Sequence, residues 1–372
     1  MKKPIFAMIP SGYKASTLYS PIPINGDGDF TFTRGTVATR MNKDRLIEEV
    51  AANVPRLDYS DSKCPTLLLE EASTNLITYS EDLSQSYWND GGQIRTLSGV
   101  SPSGGLAYLV EKGTQGYMAT GSIVVTDGST CTISAWLKSD NNSTIIIKIQ
   151  ELGGDFTNYF SKTIALTNEW VRYEVSGVKG VDGNPARFVF DSIQDGESFY
   201  AWGVQVEESE VATSYIETAG TAVTRNADTC INDNLLNILD DNKGSMFAET
   251  KSTKAVGVFQ STRLSAGNSF TNSIRLLYSP TNFIRIIYRV GDVSLLDKSI
   301  SYDIREFAKF GITWDSSAIK FYANGVKIDE VLNPTLIAGL DTLYIDSRII
   351  TKDIRIYNEV LTEAEAIELT TI

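Results

Sequence analysis

The 372-residue chain contains no histidine. That absence excludes Ser-His-Asp and Cys-His catalysis, histidine-ligated zinc and histidine pH switching. An enzyme made from these residues would have to use carboxylates, or a lysine or tyrosine base. Cysteine is scarce too. Cys64, Cys131 and Cys230 lie far apart and form no CxxC pair, so they read as three reduced, semi-buried thiols rather than a disulfide framework. No apolar run approaches the roughly 18 residues a membrane helix needs. The opening MKKPIFAMIPSG carries only a brief apolar stretch between Pro4 and Pro10. It is short for an export signal and reads as mature sequence of a protein folded in a cytoplasm. Positive charge is also in deficit, with 33 basic residues against 46 acidic and a net charge of −13. Neither nucleic acid nor a membrane is therefore expected as a partner.

What remains is rich in strand signals. The chain is long enough for two or three domains, and 42% apolar residues suffice for their cores. STCTISAWLKS (129–139), STIIIKIQ (143–150), EWVRYEVSGV (169–178), ARFVFDSI (186–193) and ESFYAWGVQVE (197–207) are short and rich in β-branched or aromatic residues. Gly, Asn, Asp or Ser bounds each one. In ARFVFDSI the alternation sets Phe188 and Phe190 on one face and Arg187, Val189 and Asp191 on the other. The turns TDGST, VDGNP and SDNNS carry the residues that tight reversals require. No ten-residue amphipathic helix interrupts 120–207.

The second half repeats this style in SMFAETKST (245–253), GVFQSTRL (257–264), NSIRLLYS (272–279), NFIRIIYRV (282–290), FAKFGITWD (307–315) and LDTLYIDS (340–347). Asn324-Gly325, between two alternating runs, signals a type I′ hairpin. Thr362 and Glu365 fit a helix capping box, with Ile367 and Leu369 able to dock. A short helix is also expected at NDNLLNILDD (232–241). TISAWLKSD echoes SMFAETKST, and EWVRYEVSG echoes FAKFGITWDSS. Residues 1–70 differ. They are rich in proline (Pro4, Pro10, Pro21, Pro23, Pro55) and read as an extended, loop-rich segment with one small β-meander at 29–50. The fold class is all-β: two tandem antiparallel β-sandwich, or jelly-roll, domains at 71–222 and 223–372 preceded by the segment 1–70.

Three stretches carry a resemblance. AWGVQVEESEVATSYIETAGTAVTRNAD (201–228) resembles the end of a carbohydrate-binding-module-like domain that recurs in bacteriophage virion proteins. FTFTRGTVATRMNKDRLIEEVAANVPRLDY (30–59) and CPTLLLEEASTNLITYSEDLSQSYW (64–88) resemble the leader and opening of those proteins. The last 150 residues are similar to a laminin-G or concanavalin A-like jelly roll. The resemblance implies a head fibre, head spike or tail fibre subunit of a phage particle. Such a subunit would be a homotrimer located in the virion, attached to capsid or tail proteins through residues 1–70. Its modules would be free to contact a host-surface glycan.

Sugar binding in such modules uses aromatic faces, with Asn, Asp and Gln reading hydroxyls. Tyr117 in TQGYMATG and Tyr159 in GGDFTNYF sit in loop-like contexts and are the leading ligand-binding candidates, followed by Trp88 and Tyr200. Trp136, Trp170, Trp202 and Trp314 read as core. Both resembled folds often hold calcium. Asp27 and Asp29 in NGDGDF are the candidates for it, although a bidentate glutamate at the expected distance is missing. Catalysis is not expected. A glycosidase needs two carboxylates about 5–9.5 Å apart, and neighbours such as Glu70/Glu71 or Glu207/Glu208 would point to opposite faces of a strand. Glu207, Glu208 and Glu210 read as a solvated acidic face. Two alternatives stand beside the fibre reading: a secreted or free lectin-like protein, and a surface-polysaccharide depolymerase.

Overall fold

The computed structural model describes residues 2–89, 91–141, 143–240, 242–253, 259–279 and 281–372. The chain divides into two compact units. One consists of Ala38–Glu49 and Ala72–Asn226, the other of the chain up to Val37 with Val50–Glu71 and Ala227–Ile372. Both are β-sandwiches built from antiparallel strands.

The 72–226 unit has two five-stranded sheets. In the first the spatial order is Trp88–Asn89, Met118–Thr120, Ala186–Asp191, Thr144–Glu151, Asn158–Ala165. In the second it is Ile94–Val100, Leu106–Glu111, Ser198–Glu207, Thr130–Lys138, Val171–Val178. Alternation decides which residues enter the core. Ile145, Ile147, Ile149, Phe188 and Phe190 do so from the first sheet, and Ile133, Ala135, Leu137 and Phe199 from the second. Ala38–Met41 and Ile47–Val50 form a separate two-stranded sheet. The turn between them is organised by Asn42, whose side chain accepts from the backbone of Asp44 and Leu46.

In the other unit the N-terminal residues are structural members of the sandwich. Phe6–Met8 pairs with Ile349–Tyr357, and Phe30–Thr33 with Thr229–Asn232. Arg56–Asp58 and Thr66–Leu68 extend an eight-stranded sheet through the end of Ile349–Tyr357. From sequence, residues 1–70 look loop-rich and able to bury little alone. In the fold, Phe6, Met8, Phe30, Phe32, Leu57, Leu67 and Leu69 enter the same core as Ile354, Ile356 and Trp314. The apolar residues of this segment find their cover in strands about 200–350 residues away, a partner that local patterns do not reveal.

Four buried charges reinforce this arrangement. Asp228, fully buried, accepts from Arg34 Nη1 at 3.1 Å and also pairs with Arg56 Nη2. Arg56 Nη1 lies 2.7 Å from Glu70. The backbones of Glu70 and Asp228 are joined too, through Asp228 N to Glu70 O at 2.9 Å, while Glu70 N donates to the Asp228 carboxylate at 2.8 Å. Two positive and two negative groups thus neutralise each other without solvent.

Local signals hold elsewhere. Asn324 and Gly325 both take positive φ (46° and 81°) in the hairpin that pairs Ala323 with Val326. Thr362 and Glu365 complete the capping box of the helix Glu363–Thr370, with Ile367 and Leu369 packed on an apolar cluster. The helix expected at 232–241 is instead a turn at 236–238, with residue 241 outside the described residues. Asn232 ends a strand, and its side chain accepts from Asn234 N at 2.8 Å. That local bond competes with helix formation. Cys131 and Cys230 are buried, but Cys64 is exposed.

Asp228→Ala should remove the one carboxylate shared by two buried guanidinium groups, leaving two positive charges against Glu70 alone, and lower stability by about 3–5 kcal/mol. Urea unfolding followed by tryptophan fluorescence measures the loss. Little change would mean that these charges do not hold the N-terminal strands.

Candidate functional site

A sandwich exposes two outer faces, and in the 72–226 unit they are treated differently. Behind the Ser198–Glu207 sheet, Trp202 packs on Tyr215 with ring centroids 4.6 Å apart. Ala107, Ile47, Trp136 and Trp170 join this cluster. Ile47 comes from the 38–50 hairpin, which is fastened by Ile47 N to Pro102 O at 2.8 Å and Thr39 Oγ1 to Tyr215 O at 2.6 Å. The extended stretch after residue 207 closes this side. Asn75 donates to the carbonyls of Val204 and Ile216. Glu207 is fully buried rather than solvated, because it accepts from Ser73 Oγ at 2.6 Å and from Thr213 N at 3.0 Å. This sheet's outer face is spent on packing.

The outer face of the other sheet is polar and recessed: Lys148, Gln150 and Val189 are buried there, and Arg187 and Asp191 are half-buried. Its outward residues are Lys148, Gln150, Arg187, Val189 and Asp191, the set opposite the core isoleucines and phenylalanines in the registry. Arg187 Nε and Nη2 both donate to Gln150 Oε1, at 3.0 and 2.6 Å. The Gln150 amide then donates to Asn158 Oδ1 at 3.1 Å and to Phe156 O at 2.7 Å. Lys148 Nζ meets Asp191 Oδ2 at 2.5 Å. Each long polar side chain on this face is therefore held in one position by a neighbour, which is how a binding surface is preorganised.

Two aromatic rings flank the guanidinium of Arg187. Phe156 lies 4.5 Å from it and Tyr117 5.9 Å. Phe156 is 47% exposed and has φ of 54°. A bulky residue in the left-handed region costs of order 1–3 kcal/mol, and here the strain holds an apolar ring in solvent. The Gln150–Phe156 hydrogen bond fixes that conformation. The result is a preorganised polar strip, flanked by aromatic rings, able to hydrogen-bond a hydroxylated ligand and stack on its apolar face.

The structure separates the four sequence candidates. Tyr117 belongs to this face. Trp88 is fully buried, stacked on Phe190 at 6.2 Å, with Nε1 donating to Tyr79 O at 3.0 Å. Tyr200 points from the opposite sheet, 6.3 Å from Trp170 and beneath Lys138 Nζ at 4.7 Å. Tyr159 is tied into an ionic knot. Its hydroxyl donates to Asp182 at 2.5 Å, and buried Lys179 pairs with Asp127 and Asp182. Phe156, Gln150 and Asn158 were not anticipated, although the alternation of ARFVFDSI places Arg187 and Asp191 correctly on the non-core face. In the loop GGDFTNYF the side chain to choose is Phe156 rather than Tyr159. Asp27 is bonded to Asn25 at 2.8 Å, and Asp29 accepts from Ser20 N at 2.8 Å. Among the described residues no three His, Cys, Asp or Glu side chains gather as a metal site.

Residues 79–195 match the family model described as a carbohydrate binding domain, and that span contains Tyr117, Lys148, Gln150, Phe156, Asn158, Arg187 and Asp191. This part of the chain is thus similar to a carbohydrate-binding module. No curated protein matches the chain. Among solved structures, the Ruminococcus gnavus IT-sialidase CBM40 bound to α2,3-sialyllactose is similar at 15% identity over 35% of this chain and 83% of that one, with a TM-score of 0.30. A structure titled "CBM4 structure and function" is similar at 22% identity over 34% of this chain and 82% of that one, TM-score 0.26. A family 16 carbohydrate binding module-2 is similar at 19% identity over 36% and 99%, TM-score 0.30.

The Tyr159 knot has an acid signature. The Tyr159 hydroxyl, followed by the Asn184 amide, holds the Asp182 carboxyl down to about 2, below its ordinary 3.8. A depressed carboxyl stabilises the fold above its unfolded value, and that contribution is lost as pH falls through the folded one. Tyr159→Phe should therefore lower Tm at pH 5, with the gap to wild type closing toward pH 2. A gap that persists at pH 2 would contradict this origin.

Proposed function

We propose that the 72–226 domain binds a glycan on the outer face carrying Arg187, Gln150, Asn158, Tyr117 and Phe156. One observation carries the reading: an exposed aromatic is held in a strained conformation by the same glutamine that aims Arg187. A packing residue would gain nothing from that strain. Arg187, Gln150 and Asn158 would read sugar hydroxyls, and Phe156 and Tyr117 would stack on the ring faces. The reading is of binding without turnover, since the face presents a paired Asp191 and no second carboxylate among its described residues.

Phe156→Gly separates strain from function. Glycine adopts positive φ freely, so the variant should keep or raise Tm while weakening binding of a neutral oligosaccharide at least tenfold. Calorimetric titration of neutral oligosaccharides checks this. Unchanged affinity would remove the assignment of this face.

We further propose that the chain is a fibre or spike subunit of a bacteriophage particle, a homotrimer in the virion presenting this domain to host-surface glycans. The support is the resemblance of 30–88 and 201–228 to phage virion proteins. Because residues 2–37 and 50–70 are woven into a sandwich, attachment would use the surface of that unit rather than a detachable tether. Several weak sites on one particle would then act by avidity. Light scattering should give a mass three times the 40.9 kDa of the chain. A monomer would favour the free lectin, and release of sugars from a polysaccharide would favour the depolymerase.

A further inference from the structure

The unit containing the C-terminal half carries a second recessed site that the glycan reading above does not use. It is a cavity of about 330 Å³ on the outer face of the nine-stranded sheet, lined by Phe259, Arg263, Phe270, Arg275, Tyr344 and Asp346, among others. Arg263 and Arg275 stand directly opposite each other on neighbouring strands, Gln260–Ser265 and Ser273–Ser279. Arg285 and Arg289 follow on the next strand, on either side of Ile287, which is the partner of Arg275. Like charges in directly opposed positions destabilise a sheet, and here one of the pair, Arg263, is only 3% exposed.

The counter-charges do not resolve the conflict. Asp297 is occupied by Arg285 at 2.5 Å, and Asp292 lies 3.6 Å from Arg289. Arg263 donates to Asn268, a neutral partner. Arg275 makes no hydrogen bond or ion pair among the described residues, and its Nε is buried without an acceptor. Burial, then the fields of Arg289, Arg263 and Arg285, push the Arg275 guanidinium below its ordinary pKa. The Asp346 carboxyl is itself pushed up to about 6 by burial. A chain with net charge −13 thus gathers four arginines on one sheet face and, among the described residues, leaves two of them, Arg263 and Arg275, without an ion pair.

Aromatic rings complete the pocket. Phe270 lies 4.0 Å from the Arg263 guanidinium and 5.7 Å from that of Arg275, and Tyr344 lies 5.1 Å from Arg263. Phe259 and Phe270 are both more than half exposed at its edge. Planar guanidinium groups match a carboxylate in a fork geometry, while exposed rings offer a stacking surface for a pyranose. We propose that this pocket binds a uronic-acid residue of an acidic polysaccharide, its carboxylate between Arg263 and Arg275 and its ring against Phe270. The carboxylate requirement stands on the pocket alone; the choice of a sugar rests on the glycan reading of the other domain.

The test is calorimetric titration of the full chain at low salt with tetragalacturonic acid and with its methyl ester. The acid should bind at least tenfold more tightly than the ester. Arg275→Gln should weaken the acid at least tenfold while leaving Tm unchanged or raised, because it removes a like-charge contact. Arg187→Ala, on the face proposed for neutral glycans, should leave acid binding intact. Absence of acid binding, equal binding of acid and ester, or an unchanged affinity in Arg275→Gln would each overturn the proposal. So would loss of acid binding in Arg187→Ala alone, which would assign it to the other face. Failure of the Phe156→Gly test leaves these readouts untouched, so the two readings fail separately.

Discussion

The Asp228 carboxylate, shared between Arg34 and Arg56 with no access to water, is the constraint on which the C-terminal unit depends. A buried charge is tolerated only when it is paired and hydrogen-bonded. Here the four groups come from the strand regions near residues 34, 56, 70 and 228, so the Asp228 carboxylate is fully paired only when both arginines have reached it. That requirement welds the proline-rich beginning of the chain to strands encoded far downstream. It also turns a segment with little apolar surface of its own into part of two sheets.

In the 72–226 unit the corresponding decision is made by packing rather than charge. The Trp202–Tyr215 contact and the hairpin carrying Ile47 occupy one outer face, leaving the opposite sheet to carry polar side chains in fixed positions. On that sheet, Gln150 is the pivot. Its oxygen takes two bonds from Arg187, and its amide holds both Asn158 and the strained Phe156 backbone. A surface with this degree of internal bonding loses little freedom when a ligand arrives.

The two sandwiches also differ electrostatically. Net charge describes the far field of a protein, whereas a site is governed by the few groups within a Debye length, about 8–10 Å. A strongly acidic chain can therefore contain a pocket walled by arginines. The opposition of Arg263 and Arg275 across two strands is a cost to the fold, set in a sheet whose other face is packed as core.

The sequence by itself determined the all-β class, the alternation that sends Phe188 and Phe190 inward and Arg187 and Asp191 outward, the Asn324-Gly325 turn and the Thr362 cap. These depend on neighbours within a few residues, where side-chain period and backbone preference act directly. It also singled out Tyr117 as a loop-borne aromatic, and the structure sets that ring 5.9 Å from the Arg187 guanidinium. Only the tertiary structure decided that Trp88 is core, that Tyr159 is bound to Asp182, that Glu207 is buried, and that Phe156 rather than Tyr159 flanks Arg187. Only the tertiary structure brought Arg263 opposite Arg275 and Arg34, Arg56 and Glu70 against Asp228. The reason is that burial and charge pairing are set by strands brought together from distant parts of the chain, and a local pattern shows which way a side chain faces but not what it meets.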